Sequence, residues 1–134
     1  GYVPVTLQYR TYEAKQARLH SLAGGDPLED SDDRSYRGKW NTAANEEDLD
    51  LVLDTKKRMG DRPVIVSVNL KNPMVMAELE PCADAILVDY GVSPQAVLDV
   101  ITGRFIPCGL LPLQMPADMD TVERQAEDKA FDME

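Results

Sequence analysis

Asp26, Glu29, Asp30, Asp32 and Asp33 crowd a run that closes on Arg34, Tyr36 and Arg37. Carboxylates this dense could collect a hard cation, which takes several oxygen ligands at once. The run lacks the central glycine and the distal bidentate glutamate of an EF-hand loop, so residue types alone favour a solvated charge run. His20 is the single histidine, and any His-dependent nucleophilic triad would have to use it. Beside Gly24-Gly25 it reads as a surface residue. Cys82 and Cys108 show no CxxC or HxxxH spacing, so no zinc site is expected, and they read as buried apolar side chains or as one disulfide. Gly24-Gly25 leads into neither a P-loop nor a dinucleotide fingerprint, so the expectation is no metal and no cofactor.

The chain that positions these residues has 134 of them, a hydrophobic fraction of 43% and 24 Asp and Glu against 14 Lys and Arg, a formal charge of -10. That length makes one domain or a piece of one, with enough apolar content for a packed core. An acidic chain without clustered cations is a poor partner for nucleic acid and for anionic membranes. No apolar run approaches the roughly 20 residues that span a bilayer, so no membrane insertion is expected. The opening Gly1-Tyr2-Val3-Pro4 has no signal-peptide pattern, and a chain that opens inside a strand pattern suggests a longer parent.

Val3, Val5, Leu7 and Tyr9 alternate with polar residues, the period-two pattern of a strand, with Pro4 keeping it near an edge. Asp26 to Ala44 reads as a long loop, and loops of about 15 residues or more in a compact domain are usually functional or disordered. Asn45 opens the clearest helix, with Glu46, Glu47 and Asp48 in its first turn, Lys56, Lys57 and Arg58 in its last and Gly60 as its stop. Leu49, Val52, Leu53 and Met59 share one face of that helix.

Val64-Ile65-Val66-Ser67-Val68 is too continuously apolar for a one-sided strand and predicts a central parallel strand covered on both faces. Asn72-Pro73 predicts a short helix over Met74 to Glu80, ended by Pro81, and Ala85 to Val88 predicts a second buried strand. Ser93-Pro94 starts another helix, with Val97, Val100 and Ile101 on one face and Gly103 beyond its end. Leu110 to Met115 reads as an edge strand, since Pro112 and Pro116 lack ladder donors. The charged text after Ala117, including Glu123 and Arg124, reads as a surface helix or a frayed tail. The fold class is therefore α/β: an open, mostly parallel sheet with helices on both faces, a three-layer sandwich that is incomplete.

The stretch Ala83 to Pro116 also resembles a family. Its Ala-Asp-Ala-Ile strand, the helix ending Ile-Thr-Gly, and Gly103 to Pro116, with Pro107-Cys108-Gly109-Leu110-Leu111-Pro112, are similar to the C-terminal α/β-sandwich domain of glycoside hydrolase family 3. The resemblance runs from the strand near Tyr2 to Pro116. The sequence departs from the family pattern at Cys108 for Ser, at Leu110 for a basic residue, and at Gly91 to Ala96, where the family shows Pro-Gly-Gln-Glu-Gly-Gly. The resemblance implies that residues 1–134 are part of that domain, with the barrel domain that bears the aspartate nucleophile lying elsewhere in the parent.

It also gives the acidic run a use. In many members a loop carries the general acid/base glutamate, followed by three small or polar residues and Asp-Arg or Asp-Asn. Glu29-Asp30-Ser31-Asp32-Asp33-Arg34 matches that spacing. The resemblance thus implies Glu29 as the acid/base of a retaining β-glucosidase-like hydrolase, with Asp33, Arg34, Tyr36 and Trp40 binding the carbohydrate substrate. A retaining glycosidase sets a protonated carboxyl about 5 to 5.5 Å from an ionised one, and neighbouring carboxylates raise a glutamate's pKa as that role requires. The implied partners are the parent's N-terminal barrel and a carbohydrate, the implied location periplasmic or secreted, and this chain alone is expected to be inactive.

Two other functions fit the residues. In a non-catalytic carbohydrate-binding or interaction module, Tyr36, Trp40 and Tyr90 would supply stacking faces. In a generic α/β domain, a ligand would sit at the C-terminal ends of the parallel strands, around Asn69 to Asn72 and Asp89 to Val92, where turn chemistry and helix capping also account for the residues.

Overall fold

A computed structural model describes residues 7–16, 37–41, 45–125 and 129. The longest element is α1 (Glu46–Met59), with acidic residues in its first turn and basic residues in its last, each sign complementing the end of the helix macrodipole on which it sits. Asn45 occupies the cap position, but its side chain accepts no capping bond. Gly60 ends the helix at φ 58°, a left-handed conformation open to glycine, and its N–H donates to the Lys56 carbonyl. Leu49 is buried and Val52 and Leu53 are half-buried on the inward face, whereas Met59 at the helix end is exposed.

Beyond Gly60 the chain forms β3 (Ile65–Asn69), which pairs in parallel with β4 (Ala85–Asp89). The short antiparallel ladder that precedes α1 consists of β1 (Tyr12–Glu13) and β2 (Trp40–Asn41). In the parallel pair the register runs from Ile65 opposite Ala85 to Asn69 opposite Asp89. Backbone bonds from Asp84 N to Val64 O at 2.9 Å and from Leu70 N to Asp89 O at 2.8 Å extend it at both ends. Lys56 Nζ and the Val64 N–H both donate to the Asp84 carboxylate, tying α1 to the sheet. Those bonds, the lysine's first, hold the Asp84 carboxyl below the usual carboxylate range.

The link between β3 and β4 is not the expected helix over Met74 to Glu80. It is a turn leading into a single 3-10 turn at Glu80–Cys82. The Val75 N–H, which a helix starting at Pro73 would leave for water, donates instead to the Leu7 carbonyl at 2.9 Å. Leu7 to Arg10 is likewise not a strand, although its residues alternate. Glu78 Oε2 accepts from Tyr9 N at 2.8 Å and from Arg10 N at 3.1 Å, so a side chain takes the bonds a neighbouring strand would have made. The Val3 to Thr6 part of the predicted strand, like the His20 and Gly24-Gly25 readings, lies outside the described residues.

Tyr9, Leu49, Leu70, Met74 and Leu79 form the core, with Val66, Val68, Ile86 and Val88 packed against it from one face of the sheet. Fully burying side chains such as Leu49 and Leu79 contributes roughly 1.5–3 kcal/mol each. Burial also pushes the Tyr9 hydroxyl up in pKa, with the charges of Asp48 and Glu78 adding to it.

On the opposite face stands α2 (Pro94–Ile101), capped by Ser93 and followed by Gly103 in the left-handed region, its start and its following glycine where the sequence puts them. Helices therefore flank both faces of a small parallel sheet, an open and incomplete α/β arrangement. The cover is unequal, since β3 leaves Ile65 43% exposed and Ser67 and Asn69 exposed beside it. Leu110 to Met115 is not an edge strand. Leu110 is 96% exposed, and the segment joins neither ladder before Met115 returns to the core. The described part of the charged C-terminal text forms a helix, α3 (Met119–Arg124), whose Met119, Thr121 and Glu123 are buried, so α3 is not wholly a surface helix. Among the described residues no helix is long and apolar enough to cross a membrane.

Candidate functional site

Glu29, Asp33, Arg34 and Tyr36 lie outside the described residues, so the structure places only Trp40 of the sequence-predicted site. Trp40 sits on β2 opposite Glu13 and is 64% exposed. What the structure does describe is the pairing of the segments on either side of residues 17–36. Tyr12 pairs with Asn41 and Glu13 with Trp40, the Ala14 N–H donates to the Lys39 carbonyl at 3.2 Å, and the Gly38 N–H donates to the Ala14 carbonyl at 2.7 Å.

This stem is tied to the C-terminal helix. Asp118 caps α3 by accepting from the Thr121 N–H at 2.7 Å and from the Thr121 hydroxyl at 2.8 Å, contacts that hold its carboxyl below the usual range. One turn on, Glu123 is 8% exposed. Its Oε1 accepts from the Tyr12 hydroxyl at 2.6 Å and its Oε2 from the Gln16 N–H at 2.7 Å. Burial, followed by the bond to Glu123 and its charge, raises the Tyr12 pKa well above that of a free phenol.

A second feature lies at the C-terminal ends of β3 and β4, where the generic α/β reading puts a ligand. A cleft of about 560 Å³ opens between the sheet and α2, lined among others by Ser67, Leu87, Tyr90, Val97, Val100 and Phe105. Asp89 at its edge accepts from Gly91 N at 2.9 Å, Asn69 Nδ2 at 2.6 Å and Ser67 Oγ at 3.4 Å. These contacts, that of the Gly91 N–H first, lower its pKa. Asp89 thus closes a turn over Gly91, whose φ of 99° favours glycine. Tyr90 is exposed beside it.

Arg10 reaches Glu46 at 3.1 Å, Asp50 at 3.3 Å and Glu78 at 3.7 Å, joining the N-terminal segment to α1 and to the β3–β4 link. Both cysteines are free. The expectation of two buried thiols holds for neither in full: Cys82 is half-buried with its thiol directed at the Glu78 carbonyl, and Cys108 is exposed because its segment joins no sheet. Among the described residues no group of three or more His, Cys, Asp or Glu could hold a metal ion.

Sequence reasoning passed over Glu123 and Tyr12. The available signal was the Asp118-x-x-Thr121 cap, which starts a helix whose inward positions include residue 123.

Comparison with known proteins places the chain in a wider context. The family profile described as "Glycosyl hydrolase family 3 C-terminal domain" matches residues 8–133. A protein named beta-glucosidase C from Emericella nidulans is 46% identical over 72 residues, 54% of this chain and 12% of the relative. Proteins named probable beta-glucosidase C from Aspergillus flavus and Aspergillus oryzae are each 40% identical over 70 residues, 52% of this chain and 11% of each relative. The matched stretch is thus about an eighth or less of the length of these relatives. No solved structure matches the chain.

Proposed function

The chain belongs to the glycosyl hydrolase family 3 C-terminal domain family, and from that membership we propose that it is the part of a β-glucosidase-like enzyme that supplies the general acid/base. Glu29 donates a proton to the leaving oxygen and later withdraws one from the attacking water. The nucleophilic carboxylate that a retaining mechanism pairs with it comes from an N-terminal barrel domain of the parent polypeptide. Asp33, Arg34, Tyr36 and Trp40 line the sugar site, with Trp40 offering a stacking face. The observation that carries this reading is the spacing Glu29-Asp30-Ser31-Asp32-Asp33-Arg34, which falls inside the matched residues 8–133.

A parent secreted or exported to the periplasm would meet exo-linked β-glycosides there, and this chain by itself, holding an acid/base without its nucleophile, turns over none. The test is the full-length protein with Glu29→Gln, assayed on aryl β-glucosides of graded leaving-group acidity. Loss of acid assistance lowers kcat/KM, which reports the bond-breaking step, about 10²- to 10⁴-fold on a poor leaving group and spares it on a dinitrophenyl glucoside, whose turnover still falls because the base of the second step is lost. Unchanged turnover on the poor leaving group refutes the role of Glu29.

The exposure of Trp40 and Tyr90 favours one second reading, a carbohydrate-binding module without chemistry. Sugar affinity in the isolated chain that is lost in Trp40→Ala, together with no glucosidase activity in the full-length protein, would replace the first reading with the second.

A further inference from the structure

Glu123 is the one charged side chain buried among the described residues. A carboxylate removed from water is costly unless its oxygens are satisfied, and here each oxygen has its own donor, the Tyr12 hydroxyl at 2.6 Å and the Gln16 N–H at 2.7 Å. These donors lie 111 and 107 residues away in sequence. Both belong to the arm of the stem that precedes Glu29 in the sequence.

The stem itself is slight. It has two residue pairs, Tyr12 with Asn41 and Glu13 with Trp40, and two flanking backbone bonds around Ala14. A two-stranded ladder of that size is marginal without outside support. Ala14 within it is buried, but the part of its support that sets direction is more specific. It is a pair of directed bonds to one carboxylate on a capped helix, which fix both the phenol of Tyr12 and the backbone of Gln16.

We propose that Glu123 is a positioning residue for the hydrolytic reaction: with Tyr12 and the Gln16 N–H it fixes the direction in which residues 17–36 leave the stem, and so the placement of Glu29 against the glycosidic oxygen. The proposal rests on the reading of Glu29 as proton donor. Glu123 touches no substrate, and its effect passes through the stem.

The test uses the full-length enzyme carrying Glu123→Ala, Glu123→Gln or Tyr12→Phe. Competent sites are counted with a mechanism-based inactivator, so that loss of folded protein is divided out. Each variant is assayed on a dinitrophenyl glucoside, which needs little acid assistance, and on an alkyl glucoside, which needs it fully. A misplaced proton donor lowers kcat/KM per competent site about 10- to 100-fold on the alkyl glucoside and no more than about 3-fold on the dinitrophenyl one. Tyr12→Phe, which removes one oxygen, shows the same split at smaller size, and Glu123→Gln, which keeps one acceptor, falls between.

Equal losses on the two substrates, or no loss, in both Tyr12→Phe and Glu123→Ala while Glu29→Gln still splits them would overturn the positioning role and leave the proton-donor reading standing. No split in Glu29→Gln removes both. If Glu123→Ala yields no folded protein, Tyr12→Phe decides the matter.

Discussion

Val66, Val68 and Ile86 point into a closed core beneath α1, whereas Ser67, Leu87 and Asp89, one residue along on the same strands, look onto a cleft that α2 only partly covers. Parallel sheets are normally covered on both faces. The composition of β3 and β4 meets that requirement, but among the described residues the packing meets it once. On the second side Leu98, Ile101, Phe105 and Ile106 remain exposed. The difference separates what makes this piece cohere, the α1 side, from what a full α/β layer would still have to cover.

The largest expected effects test that contrast directly. Leu49 and Leu79 are fully buried, so Leu49→Ala or Leu79→Ala should cost about 2–5 kcal/mol of unfolding free energy in denaturant titrations of the full-length protein. Leu98→Ala or Ile101→Ala on the open side should stay within about 0.5 kcal/mol. Equal costs on the two sides would mean that the second face is covered in the folded protein, and the contrast would vanish.

Polar contacts at the stem and at the open side make a second, smaller test. At the stem, Tyr12→Phe removes a hydroxyl bonded to the buried Glu123 carboxylate, at a cost of about 1.5–3 kcal/mol. Its pH signature has a definite sign. The folded Tyr12 pKa lies above that of the unfolded phenol, so its contribution is complete below about pH 10 and is lost as pH rises through the folded value. Tyr12→Phe should flatten the alkaline limb of a stability–pH curve. On the open side Asp89 is held below the usual carboxylate range. Its contribution is present above about pH 4 and is lost as pH falls through the folded value, so Asp89→Asn should flatten the acid limb. Urea midpoints measured from pH 3 to 11 check both.

The closed side is also where the sequence misled most, and for a physical reason. Helix boundaries are local chemistry, so Asn45 before α1, Gly60 after it and the Ser93-Pro94 start of α2 were legible, as was the apolar content of both strands. Leu7 to Arg10 was not, because its alternation is real while its hydrogen-bond partners, Glu78 and Val75, lie far along the chain. Met74 to Glu80 failed by the same exchange, since Val75 gives its N–H to Leu7. Leu110 to Met115 had strand-like residues with no ladder to join among the described residues. The candidate site divides likewise. The Glu29 to Arg34 spacing was readable from residue order, while the support at Glu123 depends on a contact across 111 positions that no local pattern announces.

The smallest expected effect compares the two helix caps. Asp118 at the start of α3 accepts two bonds from Thr121, at 2.7 and 2.8 Å, whereas Ser93 on the open side accepts one from Ala96 at 3.4 Å. Cap replacement usually costs about 1 kcal/mol, and so long a bond puts Ser93→Ala near the lower limit, about 0.5 kcal/mol. Its consequence should stay within α2, read as faster amide exchange at Ala96 and Val97 with no change on aryl glucosides. Asp118→Ala should loosen α3 and, through it, Glu123, so its amide exchange should rise at Thr121 and also at Gln16, on the far side of the carboxylate. Exchange confined to α3 in Asp118→Ala would show that cap and stem are not coupled, and the two would then be independent contacts rather than one support.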